Sequence, residues 1–160
     1  MEQLIALSLD VGARLRHRSE TVAVAESSSG GLISAALLAQ ANASTIFLGG
    51  SVIYTAQARA ALLGIGKEAM LGMRSSTEDY ALLLARTIRE RLGSTWGLAE
   101  TGAAGPSGNR YGDPAGHSCI AVAGPVEIAC TLATGADDRF SNMLAFASRT
   151  LELLREQLVT

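Results

Sequence analysis

The chain of 160 residues carries 13 basic and 15 acidic side chains, a formal net charge of −2 and 48% hydrophobic residues. A chain of this length can bury a full apolar core without disulfides or a structural metal, so residues 1–160 are expected to form a single domain. The sequence lacks the cluster of basic residues that is typical of nucleic-acid-binding proteins. No apolar run approaches the ~20 residues that cross a bilayer, and the start of the chain lacks the features of a signal peptide. We therefore expect a cytoplasmic protein that binds neither nucleic acid nor membrane.

Hydrophobic spacing predicts helices and strands in alternation along the chain. The predicted elements are a helix up to residue 19, a strand at 21–25, a helix at 32–41, a strand at 46–55, helices at 58–63 and 76–92, a strand at 95–100, a long loop at 101–116, a hairpin of strands at 118–123 and 127–133, and a helix at 139–158. This order predicts an α/β fold, a three-layer α/β/α sandwich with a mixed, mostly parallel sheet. Ligands bind beyond the carboxyl ends of strands in such sheets, so the loops at 26–31 and 101–116 are expected to meet at one edge.

The loop at 26–31 combines small side chains, hydroxyl groups and glycines between a buried strand and a helix. A serine here is a candidate nucleophile if a neighbouring group takes its proton, and N–H groups near Ser29 to Gly31 are candidates to hold an oxyanion. The free N–H groups of the following helix also favour an anion. The competing interpretation is an ordinary helix N-cap, since serine is a preferred capping residue.

The loop at 101–116 is rich in glycine and contains Arg110, so it can wrap a phosphate or a ribose. The competing interpretation is a glycine-rich surface loop, because the stretch matches neither a P-loop nor a dinucleotide-binding fingerprint. Tyr54 can position or protonate a substrate, or it is a half-buried strand tyrosine with a solvated hydroxyl. His117 is either a base beside the loop or a strand residue without a role.

Cys119 and Cys130 both lie in apolar, strand-like segments. Buried free thiols are the expected state of both, because cysteine is among the most buried residue types. Two cysteines and two isolated histidines give no disulfide framework and no credible metal site.

Four motifs taken in order resemble the CinA C-terminal domain family. The segment at 25–31, Ala-Glu-Ser-Ser-Ser-Gly-Gly, resembles the family signature Ala-Glu-Ser-Cys-Thr-Gly-Gly; the segments at 49–54, 62–65 and 101–106 follow in the family's order. The resemblance covers nearly the whole chain and implies a three-layer α/β/α fold. It also implies an enzyme that hydrolyses the carboxamide of nicotinamide mononucleotide to the acid and ammonia. In some members of the family this domain is fused to a second, N-terminal domain, which has no counterpart here, so a stand-alone form is expected.

The resemblance assigns roles residue by residue and implies a small-molecule nucleotide substrate without a metal or an organic cofactor. Ser27 takes the position of the nucleophile, and Tyr54 and Arg59 are expected to act on or orient the substrate. The expected substrate-binding residues are Glu26, Ser28, Ser29, Gly30, Gly31, Gly50, Thr101, Gly102, Gly105 and Arg110.

Two positions depart from the family pattern. Arg59 stands where the family typically has a lysine, and Asp113 stands in place of the lysine in a Lys-Pro-Val-Gly run. An arginine stays protonated and cannot serve as a base, although it can bind phosphate. The alternative is therefore a nucleotide-binding or regulatory domain that kept the pocket and lost the amidase activity. In either case the Ala/Leu-rich helices and the low charged fraction favour a homo-oligomer.

Overall fold

The computed structural model describes residues 1–158 as five helices and five strands, with two short 3-10 helices. The helices are α1 (Glu2–Arg18), α2 (Leu32–Leu38), α3 (Ala56–Leu63), α4 (Glu78–Leu92) and α5 (Arg139–Gln157). The strands are β1 (Val22–Glu26), β2 (Phe47–Val52), β3 (Trp96–Ala103), β4 (His117–Ala123) and β5 (Glu127–Ala133). The 3-10 helices are Ala43–Thr45 and Glu68–Met70.

The strands form one mixed sheet in the order β2-β1-β3-β4-β5. β1 pairs in parallel with both β2 and β3, whereas β4 is antiparallel to its neighbours β3 and β5. Four strands therefore run in one direction and β4 runs against them, which confirms the predicted mixed sheet. The carboxyl ends of β1, β2 and β3 lie at the same edge, so the segments that follow them are neighbours.

Apolar side chains cover both faces of the sheet and create the three layers. One core cluster packs side chains of α1, α2 and α5, such as Leu15, Ile33 and Leu151, against one face. The second cluster packs α4 and the end of α3 against the other face, with Leu63 and Leu84 among its buried members. The sandwich predicted from the sequence is confirmed.

Several element boundaries differ from the prediction, and those at β3, β2 and α3 matter for the site. β3 continues to Ala103, because its last residues pair with the beginning of β4, so Thr101 and Gly102 lie in a strand rather than in a loop. The strand predicted at 46–55 ends at Val52. Thr55 instead caps α3 by accepting a hydrogen bond from the N–H of Ala58.

Neither cysteine forms a disulfide, and Cys119 is buried whereas Cys130 is partly buried. Burial raises the pKa of the Cys119 thiol. Within residues 1–158, no helix is both long enough and apolar enough to cross a membrane.

Candidate functional site

A cavity of about 500 Å³ lies at the edge of the sheet where β1, β2 and β3 end. Its walls come from Ser27 of the serine loop at 27–31, the segment after β2, the segment before α4, the end of β3 and the loop at 104–116. Polar and cationic side chains face apolar ones there: the lining residues include Ser27, Tyr54, Arg59, Met70, Met73, Tyr80, Thr101, Arg110 and Tyr111. The predicted meeting of the two loops at one edge is therefore found.

Ser27 follows the last residue of β1 and lines this cavity. Its backbone N–H donates to the backbone and side-chain oxygens of Glu100, at 3.1 and 3.2 Å. Its hydroxyl has no hydrogen-bond partner among the described residues. The serine is thus fixed through its backbone, while its hydroxyl is free to meet a ligand.

The serine loop is hydrogen-bonded to Glu100. This residue was not among those predicted from the sequence. Its carboxyl is fully buried. It accepts a hydrogen bond from the N–H of Ser29 at 2.8 Å, and it also contacts the hydroxyls of Ser28 and Ser118. Burial raises the pKa of Glu100, although the neighbouring donors act in the opposite direction. The one sequence feature that could have pointed to Glu100 is the presence of an acidic residue at the end of an otherwise apolar predicted strand.

Glu26 is also fully buried, and it is turned toward α2 rather than toward the cavity. Its carboxylate accepts hydrogen bonds from the N–H groups of Ile33 and Ser34, at 3.1 and 3.0 Å. It also accepts from the hydroxyls of Ser29 and Ser34. The beginning of α2, expected from the sequence to favour a bound anion, is therefore occupied by a carboxylate of the chain itself.

The N–H groups of the serine loop are only partly available to a substrate. Those of Ser29 and Gly30 are bonded to Glu100 and to the carbonyl of Ser27. Those of Ser28 and Gly31 have no partner among the residues that the structure describes. An oxyanion hole on this loop would have to use these last two donors.

A second cavity of about 320 Å³ adjoins the first and shares Tyr54, Gly102 and Asn109 with it. Ser28 and Arg139 line this smaller cavity. The guanidinium of Arg139 donates to the carbonyl of Gly105 at 2.6 Å and to the Tyr54 hydroxyl at 3.1 Å. Arg139 begins α5, far along the chain from the other site residues, and no local motif marked it.

Arg59 is buried in the wall of the larger cavity. Its Nε donates to the carbonyl of Ile65 at 3.2 Å, and its guanidinium lies 5.9 Å from the centre of the Tyr80 ring. These contacts suit a fixed cation that braces the segment after α3. Because arginine stays protonated, this side chain offers charge to a ligand but no proton acceptor.

Tyr111 lies at the cavity between two guanidinium groups. Those of Arg74 and Arg110 lie 5.1 and 5.0 Å from the centre of its ring, and Arg110 also donates to its hydroxyl at 2.8 Å. The hydrogen bond from Arg110 lowers the pKa of the Tyr111 phenol. Arg74 in turn pairs with Asp113 at 2.6 Å and ties the segment before α4 to the loop at 104–116.

His117 is not in the wall of either cavity. Its Nε2 lies 3.1 Å from the carbonyl of Ser76, 3.6 Å from the Cys119 sulfur and 3.8 Å from the Asp113 carboxylate. No group of three or more His, Cys, Asp or Glu side chains in residues 1–158 could hold a metal ion.

The predicted site residues fall into three groups by position. Ser27, Tyr54, Arg59, Thr101, Gly102 and Arg110 line the larger cavity, and Ser28 and Gly105 line the smaller one. Glu26, Ser29, Gly30, Gly31 and Gly50 line neither cavity. Gly50 has a packing role, since a Cβ there would meet the Ser34 hydroxyl at 2.6 Å.

Comparison with known proteins gives one consistent result. The family model described as the CinA C-terminal domain matches residues 5–158. A CinA-like protein of Prochlorococcus marinus is 42% identical over 124 residues, covering 78% of this chain and 28% of that protein. A CinA-like protein of Myxococcus xanthus is 36% identical over 146 residues, covering 91% of this chain and 35% of that protein. The chain thus spans about a third of the length of these curated relatives.

Solved structures give the same result. The competence/damage inducible protein CihA from Agrobacterium tumefaciens is 28% identical, with a TM-score of 0.88 over 97% of this chain and 94% of that one. The competence damage-inducible protein A from Klebsiella pneumoniae is 26% identical, with a TM-score of 0.90 over 97% of this chain and 96% of that one.

Proposed function

The chain belongs to the CinA C-terminal domain family, and from this premise we propose that it is an amidohydrolase that cleaves the carboxamide of nicotinamide mononucleotide or a related small amide. The observation that carries the proposal is the position of Ser27. Its backbone is fixed at the end of β1 by Glu100, and its unpartnered hydroxyl faces a cavity with fixed cations. This combination suits a nucleophile that attacks a carbonyl carbon beside an anionic group.

In the proposed reaction, Ser27 Oγ forms a bond with the carboxamide carbon and its proton passes to a base. The C–N bond then breaks, the nitrogen takes up a proton and ammonia leaves. Water hydrolyses the resulting ester and restores the serine hydroxyl. Arg59 and Arg110 supply positive charge for the nucleotide phosphate, while Tyr54 and Thr101 shape the entrance and floor of the cavity.

The first experiment incubates the purified protein with nicotinamide mononucleotide and measures the release of ammonia. Ser27→Ala is expected to lower the rate by at least about 1000-fold, as loss of a nucleophile does, with the melting temperature unchanged. Ser148→Ala is a matched control, because Ser148 lies on α5 away from both cavities. Equal rates for wild type and Ser27→Ala would reject Ser27 as the nucleophile, and nucleotide binding without release would reject this substrate.

A second candidate function is a nucleotide-binding or regulatory domain without turnover. Arg59 favours it, because a permanent cation stands where the family typically has a lysine. Calorimetry would then show binding of the nucleotide, and no member of a panel of small amides would release ammonia. Turnover of any one of them excludes this candidate.

A further inference from the structure

Two buried carboxyls lie side by side beneath the serine loop. Glu26 and Glu100 are partners in the parallel register of β1 and β3, and both are fully buried. Paired residues of neighbouring strands project to the same face of a sheet. No ion pair within residues 1–158 involves either carboxyl. Two buried like charges without a cation are unfavourable, so a proton on one of them relieves the pair.

The hydrogen-bond donors decide which carboxyl can hold that proton. In Glu26, Oε1 accepts from the N–H of Ser34 and Oε2 accepts from the N–H of Ile33. A backbone N–H can only donate, so each oxygen of Glu26 already faces a fixed donor.

Glu100 differs at one of its two oxygens. Its Oε2 accepts from the N–H groups of Ser27 and Ser29, at 3.2 and 2.8 Å. Its Oε1 contacts only the hydroxyls of Ser28 and Ser118. A hydroxyl can accept as well as donate, so Oε1 of Glu100 is the atom where a proton fits without a clash.

Other elements around Glu100 bring no compensating charge. β1 contributes Glu26; on β4, Ser118 faces Glu100, while His117 and Cys119 alternate to the opposite side. The charged residue of α5 at this end of the sheet is Arg139, which is bonded to Gly105 and Tyr54. α2 contains no ionisable side chain. The raised pKa of Glu100 agrees with this environment.

The position of Ser28 connects this proton to the ligand. The carbonyl of Thr101 lies 3.5 Å from the Ser118 hydroxyl, which is long for a hydrogen bond, so Ser118 donates to Oε1 of Glu100 at 3.1 Å and Ser28 is the hydroxyl left to accept. The Ser28 hydroxyl has no other acceptor in the described part of the chain, and Ser28 lines the smaller cavity with Arg139. If Ser28 accepts from Glu100, its own proton must turn toward that cavity.

We propose that Glu100 is protonated on Oε1 and that Ser28, by accepting this proton in a hydrogen bond, presents its hydroxyl as a donor to an oxygen of the ligand. With Arg139 in the same cavity, the ligand oxygen is a carbonyl or phosphoryl oxygen of the nucleotide. Glu100 is then a positioning residue and Ser28 a ligand-contacting one. The inference rests on the proposed function for the identity of the ligand, but not for the location of the proton.

The first test separates the two carboxyls by isosteric substitution. In Glu100→Gln, the amide oxygen can face the two N–H groups while the NH₂ group faces the two hydroxyls. In Glu26→Gln, one NH₂ donor must face an N–H donor. We expect Glu100→Gln to melt at or above the wild-type temperature, and Glu26→Gln to melt lower by about 5 °C or more. Difference infrared spectra should show a protonated-carboxyl band in the wild type that Glu100→Gln lacks.

The second test measures the ligand contact by calorimetry with nicotinamide mononucleotide as the probe. Ser28→Ala is expected to weaken binding about 10-fold, the value of one hydrogen bond. Ser118→Ala, which touches the same carboxyl oxygen but lines neither cavity, is expected to bind as the wild type does. Unchanged affinity in Ser28→Ala, or no binding by the wild type, overturns the ligand contact.

The proposal that Glu100 carries the proton is overturned if the wild type lacks the protonated-carboxyl band, or if Glu100→Gln melts at as low a temperature as Glu26→Gln. A failure of the proposed function gives a different pattern, in which the wild type releases no ammonia. The band and the two melting temperatures are unaffected by that outcome.

Discussion

Tyr111 is the residue in the wall of the larger cavity whose pKa is lowered. Its phenol accepts a hydrogen bond from Arg110, which lowers its pKa from the ordinary value of 10.0. The phenolate that accepts a proton is therefore populated at a lower pH than in a free tyrosine. Arg59, at the position of the family's lysine, cannot take this role.

We propose that Tyr111, which lines the same cavity as Ser27, takes the serine proton once the substrate is bound. Tyr111→Phe is then expected to lower kcat for ammonia release by about 100-fold, the lower limit of general-base catalysis. In the wild type, kcat should rise with pH through the lowered pKa of Tyr111, and the variant should lack this rise. A phenol that only contacts substrate would give another result, a higher KM with the pH dependence of kcat retained.

Glu100 is expected to make the free energy of unfolding depend on pH. Its folded-state pKa is raised above the ordinary value of 4.5, so its favourable contribution is present at low pH and is lost as pH rises through the raised value. The free energy of unfolding of Glu100→Gln should therefore increase relative to wild type as pH rises above 4.5. Urea unfolding at several pH values measures the difference. A difference that does not vary with pH contradicts an ionisation of Glu100 in this range.

Among the elements, the β3–β4 ladder controls the floor of both cavities. Gly102 pairs with Ser118, and a Cβ at Gly102 would lie 2.3 Å from the backbone oxygen of His117. Backbone cannot move aside as the end of a side chain can, so the strands would have to separate beside the serine loop. Overpacking of this kind costs about 1–3 kcal/mol or more.

Gly102→Ala is therefore expected to lower the melting temperature by about 5 °C and to weaken nucleotide binding. Gly66→Ala is the matched control, because a Cβ at Gly66 meets nothing within 4 Å. Thermal unfolding and calorimetry on both variants check the prediction. Equal melting temperatures would show that the ladder tolerates the methyl group.

For the whole molecule, the sequence predicted the layers and the location of the site better than its inner contacts. Alternating helices and strands are local patterns, so they could be predicted before the fold was known. The pairing of Glu26 with Glu100 arises from the register of β1 and β3, which are separated by three helices along the chain. Arg139 reaches the site from the opposite end of the chain, and no local pattern announces such a contact. The predicted homo-oligomer stays a prediction.

The ion pair between Arg74 and Asp113 connects two walls of the larger cavity. It joins the segment before α4 to the loop at 104–116, and both segments form walls of the Ser27 cavity. The hydrogen bond from Arg74 lowers the pKa of Asp113 from 3.8 to about 2. A depressed carboxyl pKa stabilises the fold above the unfolded value, and this contribution is lost as pH falls from 3.8 toward about 2.

Asp113→Asn should therefore be less stable than wild type at neutral pH, and the difference should shrink as pH falls from 3.8 to about 2. Urea unfolding of the two proteins across this interval measures the change. In a double-mutant cycle, the effects of Arg74→Gln and Asp113→Asn should be less than additive, because either substitution removes the same ion pair. Additive effects of the two substitutions would show that the pair does not couple the cavity walls.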